Sequence, residues 1–296
     1  MTRAGFVAIL GRPNVGKSTL LNRVVGTKVS ITAKTPHTTR QAIRGILTDD
    51  GVQVIFVDTP GMHRPRTSLG GRLNEAARAA ADDVDVALAV LDAGAEIGPG
   101  DENTIRIALG SARHGAIPCV VLNKTDRAGK DAVLAQLLAA QRAVEEVAED
   151  PALAARVEYF AVSARTGTGI DDLIRFVQSK MPESPLLFPD DEVSDVEEGT
   201  WVAELVREQL VRKTSQELPH SIHCRVTEFE WPHVTVEILV ERESQKGMVI
   251  GKGGQLLKEV GIAAREQLPE GTYLELRVRV EPSWQKHDDI LDRLGY

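Results

Sequence analysis

With 296 residues, 42% of them apolar and 26% charged, the chain has an ordinary globular composition and room for about two domains. A disordered chain, a collagen-like repeat and a disulfide-stapled miniprotein are excluded, and the two cysteines, Cys119 and Cys224, suit a reducing compartment as buried apolar groups. A net charge of −8 argues, taken whole, against nucleic acid as a partner. However, seven acids without a single base fall in 181–199 (Glu183, Asp190, Asp191, Glu192, Asp195, Glu197, Glu198), so the regions on either side are close to balance. No apolar run approaches the ~18 residues that span a bilayer, and the N-terminal apolar stretch is too short for a signal peptide. A cytoplasmic protein is expected.

In chain order, the apolar run Phe6–Leu10 ends in glycine and passes into a helix over Lys17–Val25. Ala42–Thr48 and Gln53–Asp58 flank Asp49-Asp50-Gly51, a hairpin signal. Val86–Leu91, Pro118–Leu122 and Glu158–Val162 read as buried strands, with helices near 72–83, 101–114, 130–149 and 170–180. This alternation predicts an α/β domain over 1–180, with a mostly parallel six-stranded sheet covered by helices on both faces. The acidic stretch 181–199, with Pro182, Pro185 and Pro189, reads as an extended solvated linker. From 200 to 296 the grammar changes: a helix over Trp201–Lys213, strands Ile222–Phe229 and Val234–Glu241, helices near 244–250 and up to 267, and the strand Tyr273–Val280. That is a smaller α+β domain in the order α-β-β-α-α-β.

Gly11-Arg12-Pro13-Asn14-Val15-Gly16-Lys17-Ser18 is a complete P-loop signature set between a strand and a helix. Its glycines let consecutive backbone N–H groups wrap phosphate oxygens at a helix N-terminus, Lys17 adds charge at the β- and γ-phosphates, and Ser18 can ligate Mg²⁺. Asn123-Lys124-Thr125-Asp126 closes a strand. A carboxylate at Asp126 accepts from guanine's ring N–H and exocyclic amine together, a pair adenine does not offer, so GTP and GDP are the expected ligands. Asn123 and Lys124 would brace that loop, and Ser163-Ala164-Arg165 fits a further base-supporting loop. Asp58-Thr59-Pro60-Gly61 ends the second hairpin strand; Asp58 would hold Mg²⁺ through water and the Gly61 amide would sense the γ-phosphate. Of Thr38 and Thr39, in the weakly periodic stretch 32–41, Thr39 is favoured to complete the Mg²⁺ shell. Met62 stands where many signalling GTPases carry a water-orienting glutamine, so unaided turnover should be slow. Asn14 is either a ligand for a potassium ion that supplies the missing positive charge or merely a shaper of the loop. Arg64 and Arg66 are charge stabilisers or solvated arginines.

In the second domain, Gly251-Lys252-Gly253-Gly254 lies between two helices and after two strands, and this setting resembles the type II KH module, whose G-x-x-G loop clamps the backbone of about four single-stranded nucleotides. Lys252 supplies charge there; Lys246, Lys258, Arg277 and Arg279 either extend the groove or are solvated surface charges. His220 and His223 straddle a loop–strand boundary and do not read as a metal pair. Trp201, Trp231 and Trp284 read as packing groups.

Taken together, residues 11–18, Thr38-Thr39-Arg40, 58–61, 123–126, Glu217-Leu218-Pro219-His220-Ser221 and Val249–Gly254 resemble the Era family of bacterial GTPases over essentially the full length. The resemblance implies an RNA-binding GTPase that engages 16S ribosomal RNA near its 3′ end during maturation of the 30S subunit, with single-stranded RNA rather than DNA at the KH loop. It also admits peripheral attachment to the inner face of the cell membrane. Met62 and His63 depart from the leucine that often begins the loop after Asp-Thr-Pro-Gly. The competing reading is a GTPase acting on another RNA or a membrane-linked target, with the KH module as a docking surface.

Overall fold

The structure, a computed structural model, describes residues 1–33, 38–62, 65, 67–214 and 218–296, which cluster as two units. The first comprises Met1–Ser30, Thr39–Arg64 and Arg72–Asp195; the second comprises Ile31–Thr38, Pro65–Gly71 and Val196–Tyr296. His63, Arg64, Arg66 and Glu217, singled out from the sequence, lie outside the described residues.

In the first unit, β1 (Arg3–Gly11), β2 (Ile43–Asp49), β3 (Val52–Asp58), β4 (Val86–Asp92), β5 (Ile117–Asn123) and β6 (Glu158–Ala161) form one sheet in the order β2-β3-β1-β4-β5-β6. Only the β2–β3 hairpin is antiparallel; the remaining neighbours run parallel. The helices are α1 (Lys17–Val25), α2 (Ser68–Ala79), α3 (Pro99–Ser111), α4 (Lys130–Val147), the one-turn α5 (Pro151–Ala154) and α6 (Ile170–Lys180). The central strands are apolar on both faces because helices cover both: Val7, Ala8, Ile9 and Leu10 of β1 and Val86 to Val90 of β4 are fully buried. As a result the carboxyl ends of β1, β3, β4 and β5 are aligned at one edge of the sheet, where Gly11, Asp58, Asp92 and Asn123 emerge.

The acidic stretch differs from the solvated linker expected over 181–199. Residues up to Asp195 belong to the first unit and lie along its hairpin edge. Ile46 N donates to Val193 O (2.9 Å), Leu187 N and Phe188 N donate to Oε1 of the buried Gln53 (2.8 and 2.9 Å), and Arg44 pairs with Asp195 (2.6 Å). The reason is that β2 is an edge strand with one row of backbone groups unpaired, and an adjoining extended segment satisfies it.

In the second unit, α7 (Glu198–Lys213), the one-turn α8 (Leu218–Ser221), β7 (His223–Glu230), β8 (His233–Val240), α9 (Glu243–Ile250), α10 (Gln255–Arg265), β9 (Tyr273–Val280) and α11 (Asp288–Arg293) follow the expected order with two short helices added. The sheet is β7-β8-β9, with β7–β8 antiparallel and β8–β9 parallel. Val202, Val206 and Leu210, one face of α7, pack with Val234, Val236, Ile238, Val249, Val260 and Ala264. The final segment folds back on this unit: Trp284 is fully buried and donates Nε1–H to Ser221 O (3.0 Å), and Tyr296 Oη meets His223 Nδ1 at 2.7 Å. Among the described residues no helix is long and apolar enough to cross a membrane.

Candidate functional site

The turn between β1 and α1 is built by backbone conformations that the sequence permits. Asn14 (φ 66°) and Gly16 (φ 101°) are both left-handed, which reverses the chain over the start of α1. Gly16 is also needed for space, since a Cβ there would sit 2.4 Å from Asn123 Nδ2. Asn123 is buried at the end of β5; its Nδ2 donates to Val15 O (2.9 Å) and its Oδ1 accepts from Ala164 N (3.0 Å). One side chain therefore ties the P-loop to both of the loops expected to hold a base. Lys124 (φ 68°) adds a second tie through Nζ, to Asn14 O and to Asp92 Oδ2 (2.6 Å). Arg12 is drawn sideways to Asp101 at the start of α3 (2.7 Å) and lines, with Pro13, Asn14, Leu91 and Lys124, a cavity of about 120 Å³ beside the P-loop.

At the base loops, Thr125 N donates to Val162 O (3.2 Å), and the Asp126 carboxylate accepts from Ser163 Oγ at Oδ1 (2.6 Å) with Arg165 Nη2 2.5 Å from Oδ2. The Ser163 hydroxyl foremost, and the Arg165 and Arg127 charges after it, hold the Asp126 carboxyl below its ordinary value. Arg23 of α1, which the sequence reading did not single out, fixes the second loop by donating Nε–H to Ala164 O (2.9 Å) and Nη2–H to Arg165 O (2.5 Å).

The phosphate side carries the buried charges. Lys17 donates from Nζ to Gly11 O (3.0 Å) and Arg12 O (3.1 Å), and burial lowers its pKa to about 8 despite the opposing charge of Asp58. Asp58 is fully buried, and desolvation pushes its carboxyl up against the pull of Lys17 and three hydroxyls. Those hydroxyls are Ser18 (2.6 Å), Thr39 (3.1 Å) and Ser30 (3.2 Å), all on Oδ2; Ser18 and Thr39 also lie 2.9 Å apart. Asp58 Oδ1 is buried with no hydrogen-bond partner. A cluster of hard oxygens with one orphaned carboxylate oxygen has the chemistry of a Mg²⁺ site. Ser30 was not legible as a member: Asn22 places it, accepting from Val29 N and Ser30 N (both 2.9 Å) and donating to Ser30 O (2.7 Å).

Met62 and Thr38 are placed differently from the other residues of this group. Met62, grouped from the sequence with the γ-phosphate-sensing residues, buries its side chain in the core among Ala8, Leu10, Ala87 and Ala89, while its N–H donates to Gly11 O (3.3 Å). Thr59 Oγ1 donates to Ile9 O (2.8 Å), and a Cβ on Gly61 would meet Pro13 N at 2.8 Å, so Asp58–Gly61 packs directly against the P-loop. Thr38 parts company with Thr39: it clusters with the second unit, where its carbonyl accepts from the buried Arg207 of α7.

In the second unit, Gly251 (φ 74°), Gly253 (φ 60°) and Gly254 (φ 78°) turn the chain between α9 and α10. Gly251 is needed for contact, its Cβ position lying 2.8 Å from Leu256 Cβ, whereas Gly253 and Gly254 face open space beside the exposed Lys252. Such a loop can admit a phosphodiester close to its backbone. Arg277 and Arg279 are not part of it: they alternate outward on β9, opposite the core-facing Leu276 and Val278, and pair with Glu228, Glu275, Glu237 and Glu281.

A P-loop sheet with this switch and base-loop arrangement, followed by an α-β-β-α-α-β unit with a G-x-x-G turn, defines a P-loop GTPase carrying a KH domain. A model of the 50S ribosome-binding GTPase family matches residues 6–124, and a KH-domain model matches residues 217–285. GTPase Era of Mycobacterium tuberculosis is 43% identical across 99% of this chain and 98% of its own length, and that of Mycobacterium avium is 44% identical across 99% of both. Among solved structures, a variant of Aquifex aeolicus Era bound to GDP·AlF₄⁻ superimposes with a TM-score of 0.90 at 34% identity, covering 100% of this chain and 99% of the other. Era in complex with MgGDPNP and nucleotides 1506–1542 of 16S ribosomal RNA gives 0.88 at 34% identity and the same coverage. The chain belongs to the Era GTPase family.

Proposed function

We propose that this chain binds and hydrolyses GTP with Mg²⁺, and that it engages 16S ribosomal RNA near its 3′ end in assembly of the small ribosomal subunit. The observation that carries the nucleotide half is Asn123, which locks the phosphate loop and the base loops into one frame through Val15 O and Ala164 N. In this reading the backbone from Arg12 to Gly16, with Lys17 and Ser18, receives the phosphates, and Asp126, braced by Asn123, Lys124, Thr125, Ser163 and Ala164, reads guanine. Ser18, Thr39 and Asp58 would hold Mg²⁺, Asp58 through water, and the ion would supply positive charge at the phosphates. Lys17 would add its charge at the same phosphates, and the Gly61 N–H would report the γ-phosphate. With Met62 in the core, no side chain at that position orients the attacking water, which supports slow unaided hydrolysis. Asn14 is then the candidate for holding a potassium ion. GTPase rates higher in potassium than in sodium buffer are expected, and equal rates would remove that role.

For RNA, the G-x-x-G turn with Lys252 is the proposed clamp on the backbone of a single strand, and the solved Era complex indicates the 16S 3′ region as that strand. A nucleotide-dependent change in RNA affinity belongs to this reading, because GTP and Mg²⁺ would order the loop that carries Thr39. The test is titration of a short single strand copying the 16S 3′ end against the chain loaded with GDP or with a non-hydrolysable GTP analogue, at fixed salt. Tighter binding with the analogue supports the coupled reading, equal binding leaves two independent modules, and no binding in either state overturns the ribosomal assignment. Peripheral membrane attachment rests on the resemblance, and vesicle flotation separates it from a wholly soluble state.

A further inference from the structure

The edge of guanine that a carboxylate reads, a ring N–H beside an exocyclic amine, is chemically a guanidine fragment, and an arginine side chain carries the same fragment as a cation. Arg165 places that cation on the carboxylate that the base would use: its Nη2 lies 2.5 Å from Asp126 Oδ2. Oδ2 is sealed from solvent there, yet it has no aligned hydrogen bond, so the contact is a charge contact that leaves the oxygen's bonding capacity unused. Oδ1 keeps its bond from Ser163 Oγ.

The two ends of Arg165 are held very differently. Its carbonyl is fixed by Arg23, the preceding residue is fixed by Asn123, and Thr166 N donates to Ser163 Oγ (3.1 Å). The side chain, by contrast, is 66% exposed, while the Asp126 side chain is 9% exposed. A rigid backbone anchor with a loose, solvated side chain over a covered carboxylate has the mechanical character of a flap.

From this geometry we infer that Arg165 is a displaceable cover of the base pocket, holding Asp126 until guanine presents the same donor pair and takes its place. The inference rests on the assignment of Asp126 as the base-reading residue. It makes Arg165 a specificity-determining residue: guanine replaces the lost contact with two aligned hydrogen bonds, whereas adenine presents an acceptor and no adjoining amine and cannot compensate for it. Arg165 then acts on association. It is not a ligand of the seated base.

The experiment is stopped-flow binding of N-methylanthraniloyl-GDP to the full chain and to Arg165→Ala, Arg165→Lys and Asp126→Asn. With its guanidinium solvated the pair is weak, so Arg165→Ala should raise the association rate constant roughly two- to fivefold while the dissociation rate constant stays within about twofold. Arg165→Lys, which keeps the charge without the fork, should fall between. Salt should raise association more for the wild type than for Arg165→Ala, because only the wild type has this pair to screen. Unchanged association in Arg165→Ala, or faster dissociation as its main effect, overturns the inference. Asp126→Asn separates the two layers. If it keeps its preference for guanine over xanthine nucleotides, the base-pocket assignment fails and the cover falls with it. If it shifts toward xanthine while Arg165→Ala is silent, only the cover fails.

Discussion

Replacing Asn123 with alanine should weaken the first unit and its nucleotide affinity together. The side chain is 1% exposed and satisfies two backbone groups that belong to different loops, Val15 O and Ala164 N. Truncation leaves both without their partner in a closed environment, at about 1–3 kcal/mol each, so a loss of about 2–6 kcal/mol is expected. For a unit of this size, each kcal/mol shifts the melting temperature by about 2–4 °C. All three tryptophans, Trp201, Trp231 and Trp284, lie in the second unit, which supplies an internal control. Tryptophan fluorescence should report an unmoved transition while far-UV circular dichroism reports an earlier one. Calorimetric titration with GDP should show at least a tenfold weaker dissociation constant, because the P-loop and the base loops no longer share a brace. Asn123→Asp sharpens the case: it can still accept from Ala164 N but sets a carboxylate against the Val15 carbonyl, so it should be no more stable than the alanine variant. A stability loss below about 0.5 kcal/mol would refute the two-bond reasoning. A full stability loss with unchanged GDP affinity would refute the link between brace and binding.

Other tests address the remaining parts. Burial lowers the Lys17 pKa from its ordinary 10.5 to about 8 in the folded chain. The unfolded chain therefore binds more protons between those values, and the Lys17 contribution to stability rises from pH 8 to 10.5, a slope that Lys17→Met should remove. Nucleotide affinity should run the other way and fall as pH passes about 8, since the phosphates need the ammonium; an affinity flat to pH 9.5 would contradict this. Ser30→Ala removes one of three hydroxyls on Asp58 Oδ2 and should raise the Mg²⁺ concentration for half-maximal GTPase activity severalfold with little change in GDP affinity. Gly253→Asp with Gly254→Asp places charge and side-chain bulk at two left-handed positions facing open space, so RNA binding should be lost while GTP hydrolysis in the absence of RNA persists. Retained RNA binding would move the clamp elsewhere.

Much of this site was legible because its motifs are runs of consecutive residues. Gly11–Ser18, Asn123–Asp126 and Gly251–Gly254 carry their own backbone geometry, in left-handed turns and at helix starts, and that geometry needs no distant partner to be specified. Alternation of strand and helix patterns likewise carried the α/β and α+β classes, since period and burial are local properties.

What only the tertiary structure decided are relations across the sheet. The order β2-β3-β1-β4-β5-β6 sets Asn123 against Val15, 108 residues away, and the loop after α1, held by Asn22, sets Ser30 against Asp58, 28 residues away. No periodicity encodes either pairing. The same order decides that Met62 is a core residue, and the unpaired edge of β2 decides that the acidic stretch up to Asp195 is docked on the first unit. The acidic charge predicted solvation correctly for side chains such as Asp190 and Asp191, but backbone N–H and C=O groups carry no signature in composition, and it is they that hold the segment down. Strand alternation made Arg277 and Arg279 visible as outward-facing residues, while their glutamate partners on β7 and β8 became visible only through the pairing register of the second sheet. A sequence writes its short-range chemistry in order along the chain; the partners that strand order brings together are fixed only when the whole core closes.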